Sequence, residues 1–211
     1  MSLNREIMVI GLTGGIGTGK STAAAYLKSK GLAHIDADKI SRQLTAEGSP
    51  MLPVLNRVFG PDGEMGKPGR EVLFADGSLD RKALASMVFC DKLKRQKLDE
   101  IMFSAIIEEI DRQIKEFQNT GMSGILIDAP LLFEAGLDSR CDVILLLVAD
   151  EAVKIDRVCK RDGVTTREVR NRINSQMSDE DKMKQADIVI DNSGNEEELY
   201  RKLDYSLENT L

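Results

Sequence analysis

Aromatic residues are scarce in this 211-residue chain, which has no tryptophan and only six phenylalanines and three tyrosines. So few rings leave little surface for stacking nucleic-acid bases. The 29 basic residues are outnumbered by 35 acidic ones, and the net charge of −6 gives no basic field for a polyanion. No apolar run approaches the roughly 20 residues of a membrane span. We therefore expect neither a nucleic acid nor a membrane as partner.

Cysteine is also rare. The chain has Cys90, Cys141 and Cys159, an odd number without a CxxC pair, and such usage is typical of a reducing compartment. The N-terminus lacks the basic leader and cleavage site of a secretory signal. We expect a cytoplasmic protein whose cysteines serve packing, and a monomer or weak homo-oligomer.

Short apolar runs alternate with longer stretches of helical period, which predicts an α/β fold with a five-stranded parallel sheet flanked by helices. The predicted strands are Ile7–Leu12, Ala33–Ile35, Gly124–Asp128, Asp142–Val148 and Asp187–Ile190. The predicted helices are Lys20–Lys30, Lys39–Glu47, Ala152–Lys160, Arg167–Met177 and Glu196–Leu207. Capping-box or related spacing marks helix starts at Thr165 with Glu168, Ser178 with Asp181 and Asn195 with Glu198.

Residues 49–120 interrupt this alternation with mostly helical sequence, so we expect a helical insertion between the second and third strands. It contains a long amphipathic stretch, Asp91–Asn119. The segment Gly60–Gly77 is rich in glycine and proline and is predicted to be a mobile loop.

The strongest motif follows the first strand: Gly14-Gly15-Ile16-Gly17-Thr18-Gly19-Lys20-Ser21 matches the phosphate-binding loop pattern GxxxxGK[ST]. Glycines let successive N–H groups approach phosphate oxygens, and the following helix adds its positive N-terminus. We expect Lys20 to reach the β- and γ-phosphates of ATP, Ser21 to ligate Mg²⁺ and Thr22 to support the α-phosphate. The alternative is a glycine-rich turn that only joins strand to helix.

A phosphate loop indicates a nucleotide but not a reaction. The guanine-reading NKxD motif of regulatory GTPases is absent from the sequence. A small-molecule kinase needs a base near the acceptor, and Asp36 and Asp38 follow the second strand, where ligands of open α/β sheets bind. Asp38 also stands at the start of a helix, so a capping role is the competing interpretation.

A basic segment between Lys154 and Arg172 carries seven basic and three acidic residues. Guanidinium groups in a site shielded from water stabilise the charge of a transferring phosphoryl group. Arg157 and Arg161 lie at i and i+4 on one helix face and are the pair that we expect to do so. A solvated helix face is the alternative for some of these residues.

Asp128 ends an apolar strand, an arrangement that holds Mg²⁺ in many such enzymes. It could equally cap the turn before Pro130. His34, the single histidine, lies in a short strand and is interpreted as a packed neutral side chain.

Together these motifs resemble the dephospho-coenzyme A kinase family over nearly the whole chain. The residues that carry the resemblance are Gly11–Ser21, Asp36-Ala37-Asp38, Arg42-Gln43, Asp76–Arg81, Pro130-Leu131-Leu132-Phe133-Glu134, Arg161–Thr165 and Asp191–Gly194. The chain departs from the family pattern at Phe103-Ser104, where members commonly have His-Pro, and in a longer loop before Asp76.

The resemblance implies a P-loop kinase fold and transfer of the γ-phosphoryl group of ATP to the ribose 3′-hydroxyl of dephospho-CoA. It implies a nucleotide-binding core at residues 1–48 and 121–211, a lid at about 161–178 and an acceptor-binding subdomain at 49–120. It assigns the base to Asp38, a transition-state arginine to Arg157 and a contact with the reacting groups to Thr13. Asn192 to Gly194 would border the adenine. The acceptor would be bound by Asp36, Asp38, Arg42, Arg81, Pro130, Leu131 and Leu132.

Two other functions stay open from the residues alone. A kinase of another small alcohol or of a nucleoside monophosphate would share the ATP site. A regulatory nucleotide-binding module would have no acceptor and would hydrolyse nucleotide slowly.

Overall fold

The computed structural model describes residues 7–89, 91–118 and 120–209. Its strands form a parallel sheet of order β2-β3-β1-β4-β5, which confirms the predicted α/β architecture. The strands are β1 (Val9–Gly14), β2 (Leu32–Asp36), β3 (Gly124–Asp128), β4 (Val143–Val148) and β5 (Ile188–Asp191). Cys90 and Asn119, which entered the sequence predictions, lie outside the described residues.

Helices connect and cover these strands. They are α1 (Lys20–Ser29), α2 (Ala37–Leu44), α3 (Met51–Phe59), α4 (Arg81–Phe89), α5 (Lys92–Phe117), α6 (Glu151–Asp162), α7 (Thr166–Asn174), α8 (Asp179–Met183) and α9 (Glu196–Glu208), with a short 3₁₀ helix at Leu137–Arg140. In the described part of the chain, none of them has the length and hydrophobicity needed to cross a membrane.

The predicted helix starts are confirmed at three loops. Thr165 and Glu168 form a reciprocal capping box at α7. Ser178 accepts a hydrogen bond from the Asp181 N–H at α8, and Asn195 accepts one from the Glu198 N–H at α9.

β1 lies at the centre of the sheet and runs two residues further than predicted. Its pairing with β4 continues from Ile10 to Gly14, which lies opposite Leu147. The apolar pattern stops at Leu12, because the buried Thr13 and Gly14 give no hydrophobic signal. This extension carries the strand directly into the glycine-rich loop.

The chain divides into two compact units, Met1–Asp36 with Gln113–Leu211, and Ala37–Arg112. In the first unit, α1 and α9 pack on the sheet through a core that includes Leu12, Leu27 and Leu199. Tyr26 of α1 stacks on Tyr200 of α9 with ring centroids 4.1 Å apart. This packing fixes α1, and therefore the residues at its N-terminus, against the sheet.

The second unit has its own core, formed by Leu55 and Phe59 of α3, Leu84 and Met87 of α4, and Val72. Val72 belongs to the glycine-rich segment between α3 and α4 and is fully buried. Its carbonyl accepts a hydrogen bond from the Asp80 N–H at 2.9 Å. The composition of Gly60–Gly77 did not predict that this segment contributes to the core.

Candidate active site

The loop between β1 and α1 has the backbone that its glycines require. Gly17 and Gly19 have φ angles of +82° and +88°, which side chains rarely tolerate. A Cβ atom at Gly17 would lie 2.7 Å from the Lys154 carbonyl oxygen. The buried Thr18 hydroxyl donates to the Gly15 carbonyl at 2.9 Å and closes the loop on itself. The loop is thus packed closely, with the N-terminus of α1 at its end.

Lys20, the first residue of α1, pairs with Asp128 at the end of β3. Both side chains are largely buried, with 15% and 8% of their surface exposed. Nε2 of His34 lies 3.4 Å from the other Asp128 oxygen. Burial by itself raises the pKa of Asp128, but the hydrogen bond from His34 and the charge of Lys20 lower it, and the net shift is downward. Asp128 is therefore ionised at neutral pH.

The sheet register explains this cluster. Asp128 lies opposite Leu12 on one side and Asp36 on the other, so β1, β2 and β3 end at one edge. His34 precedes Asp36 by two residues and points to the same face of the sheet. The sequence alone gave His34 only a packing role, because its contact with Asp128 depends on β2 lying beside β3.

Asp36 and Asp38 are separated by the start of a helix. Asp36 is the last residue of β2, and α2 begins at Ala37, so Asp38 is the second residue of that helix and is exposed. Within the second unit, Nε of Arg42 donates to the Asp38 carbonyl oxygen at 3.1 Å. Arg81 donates to the hydroxyl and the carbonyl of Thr45, at 2.7 and 3.2 Å.

The loop after β5 contacts the glycine-rich loop through Asn192. The Asn192 side chain is 5% exposed, and its Nδ2 donates to the Thr18 carbonyl at 2.8 Å. Arg157 of α6 donates to the carbonyls of Asn192 and Gly194, at 2.9 and 3.2 Å. These residues, which the sequence placed near the nucleotide, therefore meet at the loop.

Arg161 has different partners from Arg157. It forms two hydrogen bonds to Asp162, which also accepts from Arg172 at 2.9 Å. The hydrogen bond from Arg161 is the main cause of a lowered pKa of Asp162. The Arg161 side chain is 62% exposed, so this cluster lies at the surface.

The turn after β3 is held by a buried lysine that the sequence did not single out. Lys182 of α8 is fully buried, and its ammonium donates to the Pro130 carbonyl at 3.1 Å and lies 3.6 Å from Glu134. The Thr13 hydroxyl donates to the same carbonyl at 3.4 Å. Leu131, next in the turn, is 39% exposed, whereas Leu132 is buried.

A glutamine between α7 and α8 also reaches the glycine-rich loop. Oε1 of Gln176 accepts from the Ile16 N–H at 3.1 Å. Gln176 and Ile16 line a cavity of about 430 Å³, together with Gly15 and the ion pair of Lys154 with Asp179. The sequence analysis assigned no contact to Gln176 or Glu134, because each bonds a segment that is distant in the chain.

Oxygen donors for a metal are present, although the described residues contain no cluster of three or more acidic, histidine or cysteine side chains arranged for one. Ser21 is exposed at the start of α1, beside Lys20, whose partner is Asp128. A hydroxyl and a carboxylate are hard oxygen ligands of the type that Mg²⁺ prefers.

Comparisons with known proteins show which family the chain resembles. The family model described as dephospho-CoA kinase matches residues 8–198. A dephospho-CoA kinase from Shouchella clausii is 39% identical over 196 residues, which cover 93% of this chain and 95% of the relative.

Solved structures are similar over the whole chain. A Thermus thermophilus protein, TT1252, is 31% identical with a TM-score of 0.79, and the match covers 98% of this chain and 100% of that one. A dephospho-CoA kinase from Campylobacter jejuni has the same fold at 22% identity and a TM-score of 0.67, covering 95% and 96% of the two chains.

Proposed function

This chain belongs to the dephospho-CoA kinase family, and we propose that its glycine-rich loop, Asp38 and Arg157 carry out the family's reaction. The enzyme transfers the terminal phosphoryl group of ATP to the ribose 3′-hydroxyl of dephospho-CoA. The products are CoA and ADP, and the step is the last one of CoA biosynthesis. The observation that carries this function is the family match over residues 8–198, which includes the complete phosphate-binding loop.

The loop binds the phosphate chain of ATP in this proposal. The N–H groups of Ile16 and Thr18 donate within the protein, to Gln176 and to the Gly15 carbonyl. The other backbone N–H groups from Gly14 to Gly19 and the positive end of α1 face the phosphates. Lys20 supplies a positive charge at the β- and γ-phosphates, and Ser21 and Thr22 follow it in the first turn of α1. Because α1 is fixed on the sheet by buried packing, these groups are positioned before the nucleotide binds.

Mg²⁺ fits the donor set at the start of α1. We propose that the Ser21 hydroxyl and the ionised Asp128 carboxylate hold it, directly or through water. Mg²⁺ usually takes one or two protein oxygens and fills its other positions with phosphate oxygens and water, so a cluster of three acidic residues is not required. When bound, the ion neutralises charge on the β- and γ-phosphates.

Asp38 is the base that accepts the proton of the acceptor hydroxyl. The support comes from the sheet topology. β2 ends at Asp36, which lies opposite Asp128, and Asp38 comes two residues after this end. Ligands of open parallel sheets bind at this edge. The side chain of Asp38 is exposed, so it is accessible to a substrate.

Arg157 stabilises the charge of the transferring phosphoryl group. Two N–H groups of its guanidinium donate to the carbonyls of Asn192 and Gly194, and these hydrogen bonds fix the plane of the guanidinium beside the loop. The other N–H groups donate to phosphate oxygens. We assign Asn192 and Gly194 to the adenine side and the exposed Arg161 to the lid at about 161–178. Thr13, for which the resemblance implies a contact with the reacting groups, is fully buried and donates to the Pro130 carbonyl, so we assign it to support of the turn after β3.

Residues 49–120 and the end of α2 bind the acceptor in this proposal. A cavity of about 260 Å³ in the second unit is lined mainly by apolar side chains, with Arg81, Ser41 and Thr45 among the polar ones. We assign Arg81 and Arg42 to polar contacts with the acceptor. The acceptor contacts of Asp36, Pro130, Leu131 and Leu132, which belong to the other unit, stay predictions from the resemblance. A cytoplasmic location and a monomer or weak homo-oligomer stay our predictions.

Steady-state release of ADP, with and without dephospho-CoA, tests the function and the base together. We expect ADP release to require dephospho-CoA. Asp38→Asn should lower kcat by about 10²-fold or more, the usual contribution of general-base catalysis, while ATP still binds. Asp62→Asn, which removes an exposed carboxylate elsewhere in the second unit, is the matched control. Equal kcat values for the two variants would show that Asp38 is not the base.

A further inference from the structure

The amide of Gln176 contacts the glycine-rich loop from outside the motif. Its Oε1 accepts from the Ile16 N–H at 3.1 Å, across 160 residues of sequence. A carboxamide is planar and has an acceptor at one end and two donors at the other. Since the Ile16 N–H needs an acceptor, this bond orients the amide with its carbonyl toward Ile16 and its NH₂ group away from it.

The backbone around Gln176 is held from two directions. Its own N–H donates to the Ile173 carbonyl at the end of α7, at 3.1 Å. The N–H of Met177 donates to Oε1 of Glu134 at 3.3 Å, and Glu134 is beside the buried ammonium of Lys182. The position of the amide is therefore set by the connection between α7 and α8 as well as by Ile16.

The NH₂ group of Gln176 has no acceptor among the described residues. It belongs to the wall of the 430 Å³ cavity that Gly15 and Ile16 also line. Two other donors on this wall are already paired: the ammonium of Lys154 with Asp179 at 2.7 Å, and the hydroxyl of Ser178 with Asp181 at 2.9 Å. The amide of Asn174 also lines the cavity, but unlike Gln176 it has, within the described residues, no hydrogen bond with the glycine-rich loop that fixes its direction. An anion held against Gly15 and Ile16 would therefore find the Gln176 amide as a donor that is not already used.

We propose that Gln176 is a further catalytic residue, whose carboxamide is anchored by Ile16 and donates a hydrogen bond to the terminal phosphoryl group of ATP during transfer. This inference rests on the proposed nucleotide site. A hydrogen bond to a charged oxygen that strengthens as negative charge develops lowers the barrier to transfer. We expect its loss to lower kcat by about tenfold or more.

The decisive variant is Gln176→Glu. A carboxylate still accepts from the Ile16 N–H but has lost the donor, so a purely structural role would be preserved. We expect kcat at saturating ATP and dephospho-CoA to fall at least tenfold at pH 8, with an unchanged melting temperature. The ratio of variant to wild-type kcat should rise as pH falls toward about 4.5, where a glutamate side chain with its ordinary pKa is nearly half protonated and donates again.

Gln185→Glu is the matched control. Gln185 lies just beyond α8 and donates to the Asp181 carbonyl at 3.1 Å, so the substitution adds the same charge outside the cavity. We expect its kcat to stay within about twofold of wild type. Gln176→Met removes both ends of the amide and should lower kcat without recovery at low pH, which keeps the test valid if the glutamate variant folds poorly.

The outcomes separate this inference from the site on which it rests. If Gln176→Glu has the kcat of Gln185→Glu at every pH, Gln176 does not donate to the phosphoryl group and the inference is wrong. Lys20→Ala, measured in the same assay, should abolish most turnover. If Lys20→Ala is also without effect, the proposed nucleotide site is wrong, whereas an effect of Lys20→Ala alone rejects only the role of Gln176.

Discussion

Replacing Lys182 by methionine should destabilise the protein through the turn after β3. Lys182 is fully buried, and its ammonium holds the Pro130 carbonyl and lies 3.6 Å from Glu134. Methionine fills nearly the same volume, so the perturbation is electrostatic. It would leave the Pro130 carbonyl without this donor and Glu134 without its counter-charge. Oε2 of Glu134 is already buried without a hydrogen-bond partner among the described residues.

Removal of one partner from a buried ion pair costs about 3–5 kcal/mol. The Glu134 side chain retains 23% exposure, so water offsets part of this cost, and we expect a value near the lower end, about 3 kcal/mol. For a chain of this length, 1 kcal/mol corresponds to about 2–4 °C in Tm. The expected decrease is therefore roughly 6–12 °C.

Thermal unfolding followed by circular dichroism measures this decrease. Lys184→Met is the matched control, since Lys184 is 72% exposed and pairs with Asp181 three residues away, and its Tm should not change measurably. Glu134→Gln combined with Lys182→Met should cost less than the two single changes added together. If Lys182→Met and Lys184→Met have the same Tm, the buried ion pair does not contribute to stability and the prediction is wrong.

Three further predictions concern the loop, a cysteine and Asp128. Gly19→Ala should weaken ATP binding about tenfold or more, as measured by calorimetry. The reasons are that the φ angle of Gly19 is +88° and that a Cβ atom there would overlap Nδ2 of Asn192. Gly48→Ala is the control for backbone strain alone, because Gly48 has a φ angle of +75° and open space around it. Burial raises the pKa of the Cys141 thiol to about 12, so little reactive thiolate is present at pH 8. Alkylation of Cys141 at pH 8, followed by mass spectrometry of its peptide, should be about 10³-fold slower in the folded protein than in urea. The pKa of Asp128 is lower in the folded protein than in the unfolded chain. Ionised Asp128 therefore contributes its full stabilisation at pH values above the unfolded-state pKa, and this contribution is lost as the pH falls through the folded-state pKa. The urea-measured stability difference between wild type and Asp128→Asn should therefore be larger at pH 7 than below about pH 4, where the Asp128 carboxyl becomes neutral.

Features that depend on neighbouring residues could be predicted from the amino-acid sequence. The loop from Gly14 to Ser21 is recognisable because glycine, lysine and serine at fixed spacing satisfy a backbone that binds phosphate. The capping box at Thr165 and Glu168 is local for the same reason, since both partners lie within one helical turn. The apolar runs predicted the five strands, most clearly β1 and β3, because a strand buried on both faces shows no polar alternation.

Which distant residues contact the loop depends on how the folded elements pack. Asn192 bonds Thr18 and Gln176 bonds Ile16, pairs separated by 174 and 160 positions. These contacts follow from the order β2-β3-β1-β4-β5 and from the way α7 and α8 return to the loop. Strand order is set by the packing of whole elements. The sequence around a single polar residue such as Gln176 has no pattern that predicts which backbone group its side chain will bond.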